Sequence, residues 1–185
     1  MPGTPIGPET PFPLGQGRPQ GAAETSALQS GWWRTSVAPV RGLDDEASET
    51  AVSLEVEPGM TGEAELVVEE AHTAPRIGSG RIHVLATPVM INLMEAAALA
   101  AVEHRLPAGH QSLGIKLDVS HVAATPVGLR VRASAEVTAV EGNKIAFRVA
   151  AHDDAELIGE GEHRRVVVEV ARFDRRVQNK LMEKK

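Results

Sequence analysis

The chain contains no cysteine among its 185 residues. That excludes a disulfide scaffold, thiol catalysis and zinc sites of the cysteine type, and it leaves the redox compartment open. Metal ligation by histidine has little support either. His72, His83, His104, His110, His152 and His163 are scattered, with no His-x-x-x-His pair on a helix, so no metal is expected. Glycine-rich phosphate loops and a Gly-x-Ser-x-Gly elbow are also missing. No apolar run reaches the roughly 18 residues of a membrane span, and the opening residues lack the basic-then-apolar layout of a signal peptide. The formal charge of −6, without a basic stripe of interleaved aromatics, argues against nucleic acid as a partner. The expectation is a cytoplasmic protein with neither a membrane nor a nucleic-acid partner.

Residues 1–55 hold seven of the twelve prolines, with many Gly, Ser and Thr and no sustained period. They read as a disordered extension in which the adjacent Trp32 and Trp33 are the exception. Residues 56–177 form the expected folded domain, and 178–185 a basic tail, with the polar end from Arg175 onward frayed. Within the domain, Ala64, Leu66 and Val68 alternate with charge over Glu63–Glu70, as in a half-exposed strand. Four further strand-like runs cover Ser112–Val119, Leu129–Val140, Lys144–His152 and Ile158–Val170. Glu141-Gly142-Asn143 and Asp153-Asp154-Ala155-Glu156 supply the turns of an antiparallel meander.

Between the first strand and the others lies Ala86–Val102, apolar around nearly its whole circumference and bearing one carboxylate, Glu95. Thr87 can cap its first turn, Pro88 suits the first helical position, and Leu106-Pro107-Ala108-Gly109 stops it. A helix without a polar face belongs in the middle of a domain, so the pattern predicts an α+β fold whose curved sheet wraps one long helix. A carboxylate there loses solvation and becomes a candidate acid, base or nucleophile. Its bland alternative is a structural carboxylate satisfied by Asn92. Thr87 is equally a plain cap, and His121, which ends the strand after the helix, equally a half-exposed strand terminus.

At these residues the sequence resembles the single-domain hotdog-fold thioesterases, and within them the fluoroacetyl-CoA thioesterase group. The resemblance runs from about Met60 to Val177. It rests on Ala86-Thr87-Pro88 through Leu93-Met94-Glu95, on Ser112-Leu113-Gly114, on Ser120-His121-Val122 through Gly128-Leu129, and on Ala151-His152-Asp153 through Arg164-Arg165. It implies a hotdog fold, a homodimer with active sites at the subunit interface, and hydrolysis of a short acyl-CoA to a carboxylic acid and coenzyme A. No cofactor is implied, because the coenzyme is part of the substrate. Thr87, Glu95 and His121 fall on the family's catalytic triad, Gly114 on a glycine lining the acyl site, and Arg165 on an arginine near it.

The segment before the helix departs from that pattern. Members devoted to fluoroacetyl-CoA carry a phenylalanine-bearing lid, where this chain has Ala74-Pro75-Arg76-Ile77-Gly78-Ser79-Gly80-Arg81-Ile82-His83. A hydratase on the same fold would need an Asp/His motif that is not found. The rival of a different class is an acyl-CoA or small-molecule binding protein without turnover.

Overall fold

The computed structural model describes residues 54–183. The proposed extension, with Trp32 and Trp33, falls outside them up to residue 53. By Leu54 and Val56 the chain already packs on the core. Five strands and three helices follow: β1 (Thr61–Val67), α1 (Ala74–Ile77), α2 (Thr87–Val102), β2 (His110–His121), β3 (Arg130–Glu141), β4 (Lys144–Asp153), β5 (Leu157–Glu169) and α3 (Val170–Met182). The strands form one sheet in the order β1-β3-β4-β5-β2, with every neighbouring pair antiparallel.

Period-two alternation sets the inner face of the sheet. Val131, Ala133, Ala135 and Val137 of β3 point inward, as do Ile145, Phe147, Val149 and Ala151 of β4, all 2% exposed or less. Gly142, with a φ of 60°, makes the tight β3–β4 turn. At the β4–β5 turn, both oxygens of Asp153 are occupied. Oδ1 accepts the backbone N–H groups of Ala155 and Glu156, and Oδ2 accepts the hydroxyl of Thr125. Part of the His152-Asp153 motif is thus explained by folding.

Helix α2 lies across this face. Met90, Leu93, Met94, Ala97, Ala98, Ala101 and Val102 are buried. At Gly62 of β1 a Cβ would strike the backbone of Ala97, Ala100 and Ala101, so strand and helix meet main chain to main chain. The opposite side of α2 is as apolar, yet the sheet covers it incompletely. Val89, Ala96 and Leu99 there are half-buried, while Asn92 is exposed.

Two local expectations need correction. Thr87 does not cap α2, for the cap residue is Ala86, no side chain caps the first turn, and Pro88 stands one position further in. The C-terminal end is not frayed from Arg175, because α3 continues to Met182. Its polar composition hides a helical spacing, Val170, Phe173, Val177 and Leu181, that recurs every three or four residues.

Candidate active site

Freed from capping, the Thr87 hydroxyl lies 2.8 Å from Nδ1 of His121. Helix and strand termini make this meeting, Thr87 opening α2 and His121 closing β2. Burial is the main influence on His121 and lowers its pKa below the ordinary imidazole value, the Ala123 backbone opposing more weakly. The ring is accordingly neutral near pH 7. Its Nε2 is shielded and makes no hydrogen bond among the described residues. One nitrogen is thus held by Thr87 and the other is uncommitted, as a proton-transfer group requires.

Glu95 is two helical turns further on, about 12 Å along the axis. Its side chain is 33% exposed, so it is less enclosed than its apolar neighbours in sequence suggested. Asn92 is not its partner. Oε1 lies 3.5 Å from Nη1 of Arg165 and 3.7 Å from Nε2 of His163. Among the described residues it forms no ion pair with His121, so a single chain assembles a Thr87–His121 pair and a separate Glu95–Arg165–His163 group.

Gly114 lies against the second of these groups. A Cβ there would collide with Oε1 of Glu95 and come within 3.2 Å of Cε1 of His163. Only glycine lets β2 approach the carboxylate so closely. The β2–β5 register shifts just after it, between Gly114 and Lys116, a bulge that re-aims the strand beside the site.

Arg165 is 4% exposed and His163 fully buried. Nδ1–H of His163 donates to the carbonyl of Lys116 at 2.9 Å, which leaves Nε2 to accept from Nη1 of Arg165 at 3.1 Å. Desolvation chiefly, and the adjacent guanidinium, lower the His163 pKa against the opposing influence of Lys116 O and Glu95. Its ring stacks on Phe147, centroids 5.9 Å apart. Ser112, which accepts from Arg165, and Glu103, which accepts from Ser112, complete the group.

No role was assigned from sequence to His163, Ser112 or Glu103. A signal was present for the first: Gly161, His163, Arg165 and Val167 share the inward face of β5, where a strand that merely builds a core would carry apolar residues. The described residues hold no cluster of three metal-ligating side chains and no helix long and apolar enough to cross a membrane.

Residues 68–171 match the fluoroacetyl-CoA-specific thioesterase family, more than half of the chain. The chain belongs to that family. The fluoroacetyl-CoA thioesterase of Streptantibioticus cattleyicolor is 43% identical over 97 residues, which cover 52% of this chain and 70% of that protein. A solved structure of a fluoroacetyl-CoA thioesterase superposes with a TM-score of 0.65 at 35% identity, covering 68% of this chain and 97% of its own. A thioesterase superfamily member from Thermus thermophilus gives 0.64 at 28% identity, over 69% of this chain and 97% of its own. The five-stranded antiparallel sheet around one long helix is a hotdog fold. The family match ends at Ala171, so α3 lies almost wholly beyond it.

Proposed function

We infer that this chain hydrolyses short acyl-CoA thioesters to a carboxylic acid and coenzyme A, with Thr87, Glu95 and His121 as its catalytic residues. The observation that carries the reading is the Thr87–His121 contact of 2.8 Å, with a neutral imidazole whose other nitrogen is shielded and uncommitted. A side chain free to cap its helix has instead been turned to a histidine.

The chemistry divides among the residues as follows. Glu95 supplies the carboxylate that takes the proton of an attacking water, or that attacks the thioester carbon to form an anhydride which a water then hydrolyses. The carbonyl oxygen, as it gains charge, is met by the Gly114 N–H on the strand that lies against Glu95. Thr87 orients the reacting group by hydrogen bonding. His121, in contact with Thr87 at Nδ1, moves the proton to the departing sulfur. Coenzyme A leaves as the thiol, and the acid is the second product.

The reading includes a homodimer with the active sites at the subunit interface. Two features support it: the apolar side of α2 that the chain's own sheet leaves half-open, and β2 standing at the edge of the sheet with a free ladder of backbone groups. Release of free thiol from a panel of acyl-CoAs, followed together with the mass of the protein in solution, tests both parts. Binding without thiol release would return the chain to the class of acyl-CoA binding proteins, and an active monomer would remove the dimer.

A further inference from the structure

Arg165 is so placed that its donors are directed into the protein. Nε–H donates to Oγ of Ser112 at 2.8 Å, and Nη2 donates to the Ser112 carbonyl at 2.8 Å. Nη1 donates to Nε2 of His163 at 3.1 Å and faces Oε1 of Glu95 at 3.5 Å. With 4% of its surface exposed, it has little left to offer a bound molecule. The Ser112 hydroxyl carries one proton, which goes to Oε2 of Glu103 at 2.8 Å, while its lone pair receives the guanidinium. Oε1 of Glu103 also accepts the Ser112 backbone N–H at 3.2 Å. Every bond in the row therefore points the same way, from Arg165 through Ser112 to Glu103.

We propose that Glu103 is a positioning residue: through Ser112 it fixes the Arg165 guanidinium against which the Glu95 carboxylate rests. Glu103 stands in the single turn that follows α2, eight residues after Glu95 and on the same side of the helix axis. One buried cation is thus held between two carboxylates, and both offset the burial that disfavours its charge. Without Glu103 the serine proton has no acceptor in this row. A hydroxyl turned toward a guanidinium opposes donor to donor, so Oγ would release Nε, the arginine would be held by the Ser112 carbonyl alone on this side, and Glu95 would lose its fixed neighbour.

The inference rests on the thioesterase reading for its kinetic arm only. In the full chain, Glu103→Ala, Glu103→Gln and Ser112→Ala are compared with the parent for thiol release from acetyl-CoA, kcat and KM being determined apart. Glu103→Ala should lower kcat about 10- to 100-fold, the scale of a small displacement of a reacting group, with KM changed less than about threefold. Glu103→Gln should recover to within about fivefold, because its amide oxygen still accepts the serine proton. Ser112→Ala carries the same expectation as Glu103→Ala should that variant fail to fold.

A folded Glu103→Ala with kcat within about twofold of the parent overturns the proposal. So does a raised KM at unchanged kcat, which would place Arg165 on the substrate. A second arm needs no substrate. Melting of Glu103→Ala, Arg165→Met and the double variant should be non-additive, the double no less stable than the worse single. Additive losses overturn the brace. A parent protein that releases no thiol from any acyl-CoA refutes the functional reading, while the melting cycle still decides whether the brace exists.

Discussion

Two arginine sites on the same sheet handle charge in opposite ways. On the outer face, Arg130 and Arg132 share Glu65 at 2.7 and 3.4 Å, each side chain about half exposed. On the inner face, Arg165 is nearly enclosed and bonds to Ser112, His163 and Glu95. Water already solvates the first group, so its pairing contributes roughly 0 to 1 kcal/mol. The second has lost its water, and its partners first have to offset that loss. Replacing the whole charged group by well-packed apolar side chains would serve the core as well. The contrast indicates that the inner arginine is retained for the carboxylate it holds, whereas the outer pair is retained, if at all, for surface charge.

The largest effect should come from Glu95→Gln, which keeps the shape and removes the charge. Thiol release should fall about 10² to 10⁴-fold in a protein that still folds, as for loss of a general base. Unchanged turnover would leave the inner group structural, and the contrast between the two faces would lose its functional meaning.

Arg165→Met should follow, with a stability loss of about 3 kcal/mol by denaturant unfolding, the low end for breaking a buried pair because Glu95 keeps part of its solvation. Arg132→Met should cost less than about 1 kcal/mol. Equal losses at the two positions would erase the comparison.

A third expectation concerns selectivity. The segment that would hold a phenylalanine lid folds instead as the four-residue α1, ended by Gly78 in the left-handed region and followed by exposed residues. Without aromatic bulk over the acyl group, acetyl-, propionyl- and fluoroacetyl-CoA should differ in kcat/KM by no more than about 200-fold. A fluorinated preference beyond about 10³ would show that selectivity does not need that lid.

The smallest effect is a pH slope. Burial lowers the pKa of both His163 and His121 from the ordinary value of 6.5. The unfolded chain therefore binds protons that the folded one refuses, and stability is full above about 6.5 and declines as pH falls below it. His163→Gln should flatten that decline in a series of melts, and an equally steep series would exclude His163 as its source. For the same reason the acid limb of turnover should lie below about 6.5, since a neutral His121 persists to lower pH than a free imidazole.

Strands were legible because alternation is a local property: Ala64, Leu66 and Val68, or Ile145, Phe147 and Val149, declare their inward side without reference to the rest of the chain. Helix α2 announced itself by propensity, and the two hairpins by their turn residues. What stayed hidden needs tertiary closeness. Nothing in the spacing of Glu103, Ser112 and Arg165 foretells a hydrogen-bonded row, because a turn and two strands must first converge. Thr87 was ambiguous for a sharper reason, since the same hydroxyl could satisfy its own helix or a histidine 34 residues away.

Gly62 carries a consequence for how this chain can drift. The main-chain contact of β1 with α2 leaves no thickness for even a methyl group, so an alanine there would lift the helix from the sheet and carry Glu95 with it relative to Arg165. A residue with no polar atom in its side chain thereby sets the gauge of the carboxylate's position from the far edge of the sheet. Any larger residue at this position would seat the helix at a different height. Divergence in acyl preference can then begin there, with every reacting residue unchanged.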